Sequence, residues 1–135
     1  MFGLFYILEK NLKILFKIIV KAKLRCYNIY RRGGSVMKVI TICGSMRYAD
    51  EMKVIARKLE TKNRFCVLQP IYNEKKKNES FEELENIFAS HYKKIELSDA
   101  IYVVNIKGYI GEATRSEIAF AKNKGKEIIY HESIK

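Results

Sequence analysis

From residue 38 onward the chain alternates between two kinds of hydrophobic pattern. KVITIC (38–43) is a short β-branched run with no polar alternation, as in a strand buried on both faces. Residues 48–62 then place Met52, Ile55, Ala56 and Leu59 at i, i+3, i+4 and i+7, which predicts an amphipathic helix. RFCVLQP (64–70) predicts a second strand closed by Pro70, and IYNEKKKNE (71–79) a polar loop with a solvated charge run. Ser80 and Glu83 have the spacing of a capping box that opens a helix to about Leu97. AIYVVNI (100–106) reads as a third buried strand and KGYIGEA (107–113) as a glycine-containing loop. A helix to about Asn123 follows, stopped by Gly125, and KEIIYH (126–131) is a last strand.

Strands alternating with helices predict a parallel sheet covered on both faces. With right-handed crossovers, the expected fold is a flavodoxin-like or Rossmann-like three-layer α/β sandwich whose four strands run in the order 2-1-3-4. Ligands in such sheets bind beyond the carboxyl ends of the strands, where the chain direction reverses. Here that is between the first and third strands, beside the loops 43–48 and 106–113.

Residues 1–36 follow a different pattern. Leu12, Leu15, Phe16 and Ile19 share helical spacing, while Lys13, Lys17 and Lys21 fall on another face. The net charge of +11 is concentrated here. Residues 1–36 hold eight Lys/Arg and one Glu, against eighteen Lys/Arg and fourteen Asp/Glu in residues 37–135. The second part is only mildly basic, which argues against binding a nucleic-acid polymer. Glu9, Lys10, Lys13 and Lys17 interrupt any membrane span, and no signal-peptide pattern is present. Two readings of this segment stand side by side. Residues 1–30 form a basic amphipathic helix suited to weak contact with a membrane surface. Alternatively, RRGGSVM is what a purine-rich ribosome-binding sequence would encode ahead of a start at Met37, making residues 1–36 an extension outside the native protein. The expected domain is then 37–135.

Three cysteines, Cys26, Cys43 and Cys66, form no CxxC pair and no zinc spacing. Cys43 and Cys66 sit in apolar runs and read as small buried hydrophobes, in keeping with reduced thiols and a cytoplasmic setting. No set of Cys, His and carboxylates has metal-ligand spacing, so neither metal nor cofactor is expected. Gly44-Ser45 lets the backbone approach a ligand closely, the next helix begins with free N–H groups, and Arg47 suits a phosphate. The plain alternative is a turn with Ser45 as N-cap. Neither a P-loop nor GxGxxG is present. Glu117 lies early in the helix after the third strand, where a carboxylate could act as nucleophile or base. Thr114-x-x-Glu117 is, however, itself a capping-box pattern, and Glu112 is a second carboxylate of the same loop. His91 shares a helical face with Leu84, Phe88 and Ile95. It reads either as a satisfied core histidine or as a ring reaching the sheet edge beside Glu117. His131 has no constellation around it.

At CGSMR after the first strand, HYKKIELSDAIYVVN leading through the third, and SEIAFAKNKGKEIIY at the end, the chain resembles the nucleoside 2-deoxyribosyltransferase-like family. That family includes the 2′-deoxynucleoside 5′-phosphate N-hydrolases. The resemblance spans about residues 38–131. It implies cleavage or exchange at the N-glycosidic bond of a small nucleoside or its 5′-monophosphate. Glu117 would be the nucleophile, and His91 would orient it or handle a proton. Ser45 and Arg47 fall on the loop that holds sugar and phosphate, and the substrate-binding set is Gly44, Ser45, Met46, Arg47, Gly108, Gly111 and Ser116. It also implies a homodimer, since family sites are often completed across subunits. The sequence departs from the hydrolase pattern at Thr41, where a tyrosine is usual, at His91, where an aspartate is usual, and at Ala113-Thr114-Arg115, in place of a G-x-G. These departures favour the alternative of a catalytically inactive nucleotide-binding or sensor module.

The upstream-extension reading predicts that intact-mass measurement of the native protein finds a chain starting at Met37; a species starting at Met1 overturns it.

Overall fold

The computed structural model describes residues 2–31, 37–72 and 78–134. The chain divides into two compact units, Met1–Val36 and Met37–Lys135. The charge run at 73–77 and residues 32–36 of RRGGSVM lie outside the described residues.

The first unit contains one helix, α1 (Phe2–Arg31). Leu12, Leu15, Phe16 and Ile19 are exposed along it. No helix among the described residues is long and apolar enough to cross a membrane.

The second unit runs β1 (Val39–Gly44), α2 (Ala49–Thr61), β2 (Cys66–Leu68), α3 (Phe81–Leu97), β3 (Ala100–Val104), α4 (Glu112–Asn123) and β4 (Glu127–Tyr130). Short 3-10 turns follow β1 at Met46–Tyr48 and β3 at Ile106–Gly108. All strand pairs are parallel, in the order β2-β1-β3-β4. The longest ladder joins β1 to β3, from Ile40 opposite Ala100 to Gly44 opposite Val104.

Side-chain alternation along β1 and β3 builds the two cores. Ile40, Ile42, Ala100 and Val104 meet Met52, Ala56 and Leu59 of α2 on one face. Cys43, Ile101 and Val103 meet Ile95 of α3 and Ile118 and Ala121 of α4 on the other. Both strands are thus covered on both sides, as their unbroken apolar runs require. β2 is shorter than its apolar run, because Arg64 turns into the left-handed region (φ 58°) before it and Pro70 has no N–H to extend the ladder beyond it. The Ser80–Glu83 capping box is formed in both directions, and Gly125 ends α4 with φ +68°.

Gly44 closes β1 against its neighbours. A Cβ there would lie 2.7 Å from Met52 Sδ and 3.1 Å from Val104 Cβ. Met52 can shift, but Val104 is held on β3. Gly44→Ala should therefore destabilise the domain by about 1–3 kcal/mol, lowering its melting temperature by several degrees. An unchanged melting curve would show that the end of β1 is looser than this packing indicates.

Candidate active site

β1 and β3 leave the sheet in opposite directions, one towards β2 and the other towards β4, so their carboxyl ends open a crevice. A cavity there has about 530 Å³ of empty space, counting its open mouth. Ile42, Pro70, Ile71, Leu84, Ile87 and Phe88 give it an apolar wall. Gly44, Met46, His91 and Glu117 complete the lining.

His91 projects from α3 and is 8 % exposed. Its Nε2 lies 3.4 Å from Glu117 Oε1 and 3.8 Å from Cys43 Sγ. The ring therefore reaches the sheet edge beside Glu117 rather than resting in the core as a fully bonded histidine: its buried Nδ1 has no hydrogen-bond partner. The second carboxylate oxygen of Glu117 is likewise buried and unpartnered. An unpaired carboxylate oxygen inside a largely apolar cavity is costly. It is also poised to receive a ligand group.

The capping-box alternative for Glu117 is overturned. α4 begins at Glu112, with Gly111 as N-cap, so Thr114 is already in its first turn and is buried. This early start carries Glu117 into the second turn, on the side that faces α3. Ser45 does act as a cap, but of the 3-10 turn, where its hydroxyl accepts the Arg47 N–H at 3.3 Å.

Of the sequence-predicted site residues, Gly44, Met46, His91 and Glu117 share the cavity. Ser45, Arg47, Gly108, Gly111 and Ser116 are not among its lining residues. The Arg47 guanidinium stacks 4.3 Å from the Tyr109 ring centre, and the Ser116 hydroxyl donates to the Glu112 carbonyl. Ser45 and Gly111 are close neighbours, since a Cβ on Gly111 would sit 4.0 Å from Ser45 Cβ. The loops after β1 and β3 therefore abut. Thr41 does not reach the cavity; its hydroxyl is committed to Ser98 Oγ at 2.6 Å.

Cys43 is the residue that the pattern along the chain missed. It is a buried apolar neighbour, as expected, but its thiol also faces His91 and Glu117. The absence of metal-ligand spacing in the sequence said nothing about this group, because positions 43, 91 and 117 converge only through the β1–α3–α4 packing. The signal present was the shared α3 face of Leu84, Phe88 and His91, which does line one wall.

Burial pushes the Cys43 thiol well above its ordinary value, and the charge of Glu117 and a hydrogen bond to it push the same way. Burial also raises Tyr92, with Glu117 and Cys43 adding to it.

The sequence matches no family model and no curated protein sequence. Among solved structures, the chain is similar to a 2-deoxyribosyltransferase from the psychrotolerant bacterium Bacillus psychrosaccharolyticus. The TM-score is 0.50 at 18% identity, covering 72% of this chain and 77% of that one. At this identity the likeness concerns the fold: the parallel 2-1-3-4 sheet with helices on both faces.

A thiol whose pKa is raised by folding contributes stability that is complete below the unfolded value of about 8.5 and is lost as pH rises through the folded value. Urea unfolding should therefore show stability falling from pH about 8 to 10, with a shallower fall in Cys43→Ser. Equal slopes in the two proteins would contradict a protonated buried thiol.

Proposed function

We propose that residues 37–135 cleave or transfer at the N-glycosidic bond of a deoxynucleoside or its 5′-monophosphate, with Glu117 as the nucleophile. The observation that carries this reading is the largely buried Glu117 carboxylate, one oxygen unpaired, beside His91 in an apolar cavity at the β1/β3 crevice. The fold likeness to a 2-deoxyribosyltransferase supports it.

In this mechanism a Glu117 oxygen attacks C1′ of the sugar as the bond to the base breaks. The reaction passes through an oxocarbenium-like transition state to a glycosyl ester on Glu117. His91 holds the carboxylate in position and moves the proton needed at the departing base. Water as the acceptor regenerates the acid and gives a hydrolase; a second base gives a transferase. The apolar wall from Leu84 to Phe88 suits the flat face of a base. The sugar-phosphate end is assigned to Ser45, Arg47 and the start of α4, where Gly111 supplies no capping side chain and the first N–H groups favour an anion.

A second reading, a nucleotide-binding module without turnover, draws on the commitment of Thr41 to Ser98, which leaves no hydroxyl of β1 facing the substrate. For residues 1–30 we propose weak membrane-surface contact, supported by the exposed apolar residues of α1 beside its lysines.

Purified protein incubated with a panel of deoxynucleosides and their monophosphates should release free base. Glu117→Ala should abolish release, and His91→Ala should slow it by about 10²–10⁴-fold. Binding without base release would establish the module reading, and turnover unchanged in Glu117→Ala would remove Glu117 from the chemistry.

A further inference from the structure

We infer that Cys43, His91 and Glu117 form a three-ligand site for a zinc-class divalent cation. Cys43 Sγ, His91 Nε2 and a Glu117 carboxylate oxygen all lie within 4.8 Å of one another. The Sγ–Nε2 distance is 3.8 Å and the Nε2–Oε1 distance 3.4 Å. With zinc bonds of about 2.3 Å to sulfur and about 2.0–2.1 Å to nitrogen and oxygen, the corresponding edges of a tetrahedron are about 3.5 and 3.3 Å. These two edges already match closely; the sulfur–carboxylate edge, within 4.8 Å, closes to about 3.5 Å by rotation of the Glu117 side chain.

The chemistry of the donors selects the ion. Thiolate, imidazole and carboxylate together suit zinc or cobalt, whereas magnesium and calcium prefer oxygen alone. Charge balance points the same way. A thiolate, a carboxylate and a neutral imidazole around a +2 ion make a neutral cluster, which a largely apolar cavity tolerates far better than a lone carboxylate. On binding, the Cys43 thiol passes its proton to solvent and the sulfur takes up the metal bond. The other oxygen of the same carboxylate, Glu117 Oε2, is buried without a partner, a second mark of a site that accepts a cation. His91 and Glu117 also line the cavity, so three protein ligands would leave a fourth position facing it, the open arrangement of catalytic zinc sites.

One consequence rests on the glycosyl reading. An ion held by Glu117 withdraws negative charge from the carboxylate that would attack C1′ and stands in the space before it, so metal occupancy and covalent turnover exclude each other, and the cation acts as an inhibitor of the same site.

The test is a cobalt titration of chelator-treated full-length protein. One equivalent of Co²⁺ should produce a thiolate-to-cobalt charge-transfer band with the strong visible absorption of tetrahedral coordination, and Zn²⁺ should bleach both. The band should survive Cys26→Ser/Cys66→Ser and vanish in Cys43→Ser. Glu117→Gln, which keeps the side-chain shape, should weaken Zn²⁺ binding in calorimetry at least tenfold, with circular dichroism confirming the fold of each variant. No band in the wild type, or an unchanged band in Cys43→Ser, overturns the site. In parallel, Zn²⁺ should suppress base release in proportion to occupancy; full turnover at saturating zinc overturns the exclusion while leaving the site standing. Absence of base release from metal-free protein overturns the glycosyl reading, and the cobalt band still decides the site.

Discussion

The β1–β3 ladder is the constraint on which the second unit depends. Both strands are buried on both faces, so their backbone groups have only each other and the flanking strands for partners. Five register pairs from Ile40–Ala100 to Gly44–Val104 meet that demand. Their alternating side chains then define two cores, and α2 must take one face while α3 and α4 take the other. Because the connections from β1 and β3 diverge, the end of this ladder is also where the crevice opens. The site's position follows from the hydrogen bonding of its central strands.

The same packing creates an electrostatic tension at that edge. α3 and α4 bring His91 and Glu117 against the carboxyl end of β1, in a space walled by Ile42, Leu84, Ile87 and Phe88. Such walls offer little solvation to a carboxylate, and the raised thiol of Cys43 registers both the dryness and the nearby negative charge. Glu117 Oε2 and His91 Nδ1 are left without hydrogen-bond partners there. In the two proposals made for this site, a carbon electrophile and a metal ion each relieve that deficit, and they draw on the same carboxylate.

How much was legible along the chain differed by residue. The helix of Met52, Ala56 and Leu59, the Ser80 capping box and the Gly125 stop are local features, and each forms where its pattern lies. Thr114-x-x-Glu117 misled because the same local rule fits two helix starts. The observed start at Glu112, which buries Thr114, belongs to the packing of α4 on the sheet. For His91 the sequence left two readings open, since a helical face shows that a ring points inward but not what it meets there.

By itself, the sequence determined the order and type of the elements, the parallel sheet and the loops at which a site could lie. Hydrophobic period, capping and strand burial are properties of neighbouring residues. Only the tertiary structure decided which side chains share the crevice. It joined Cys43 to His91 and Glu117, set Thr41 aside against Ser98, and stacked Arg47 on Tyr109. Those outcomes depend on distances of a few ångströms between segments dozens of residues apart, which no periodicity along a single chain encodes.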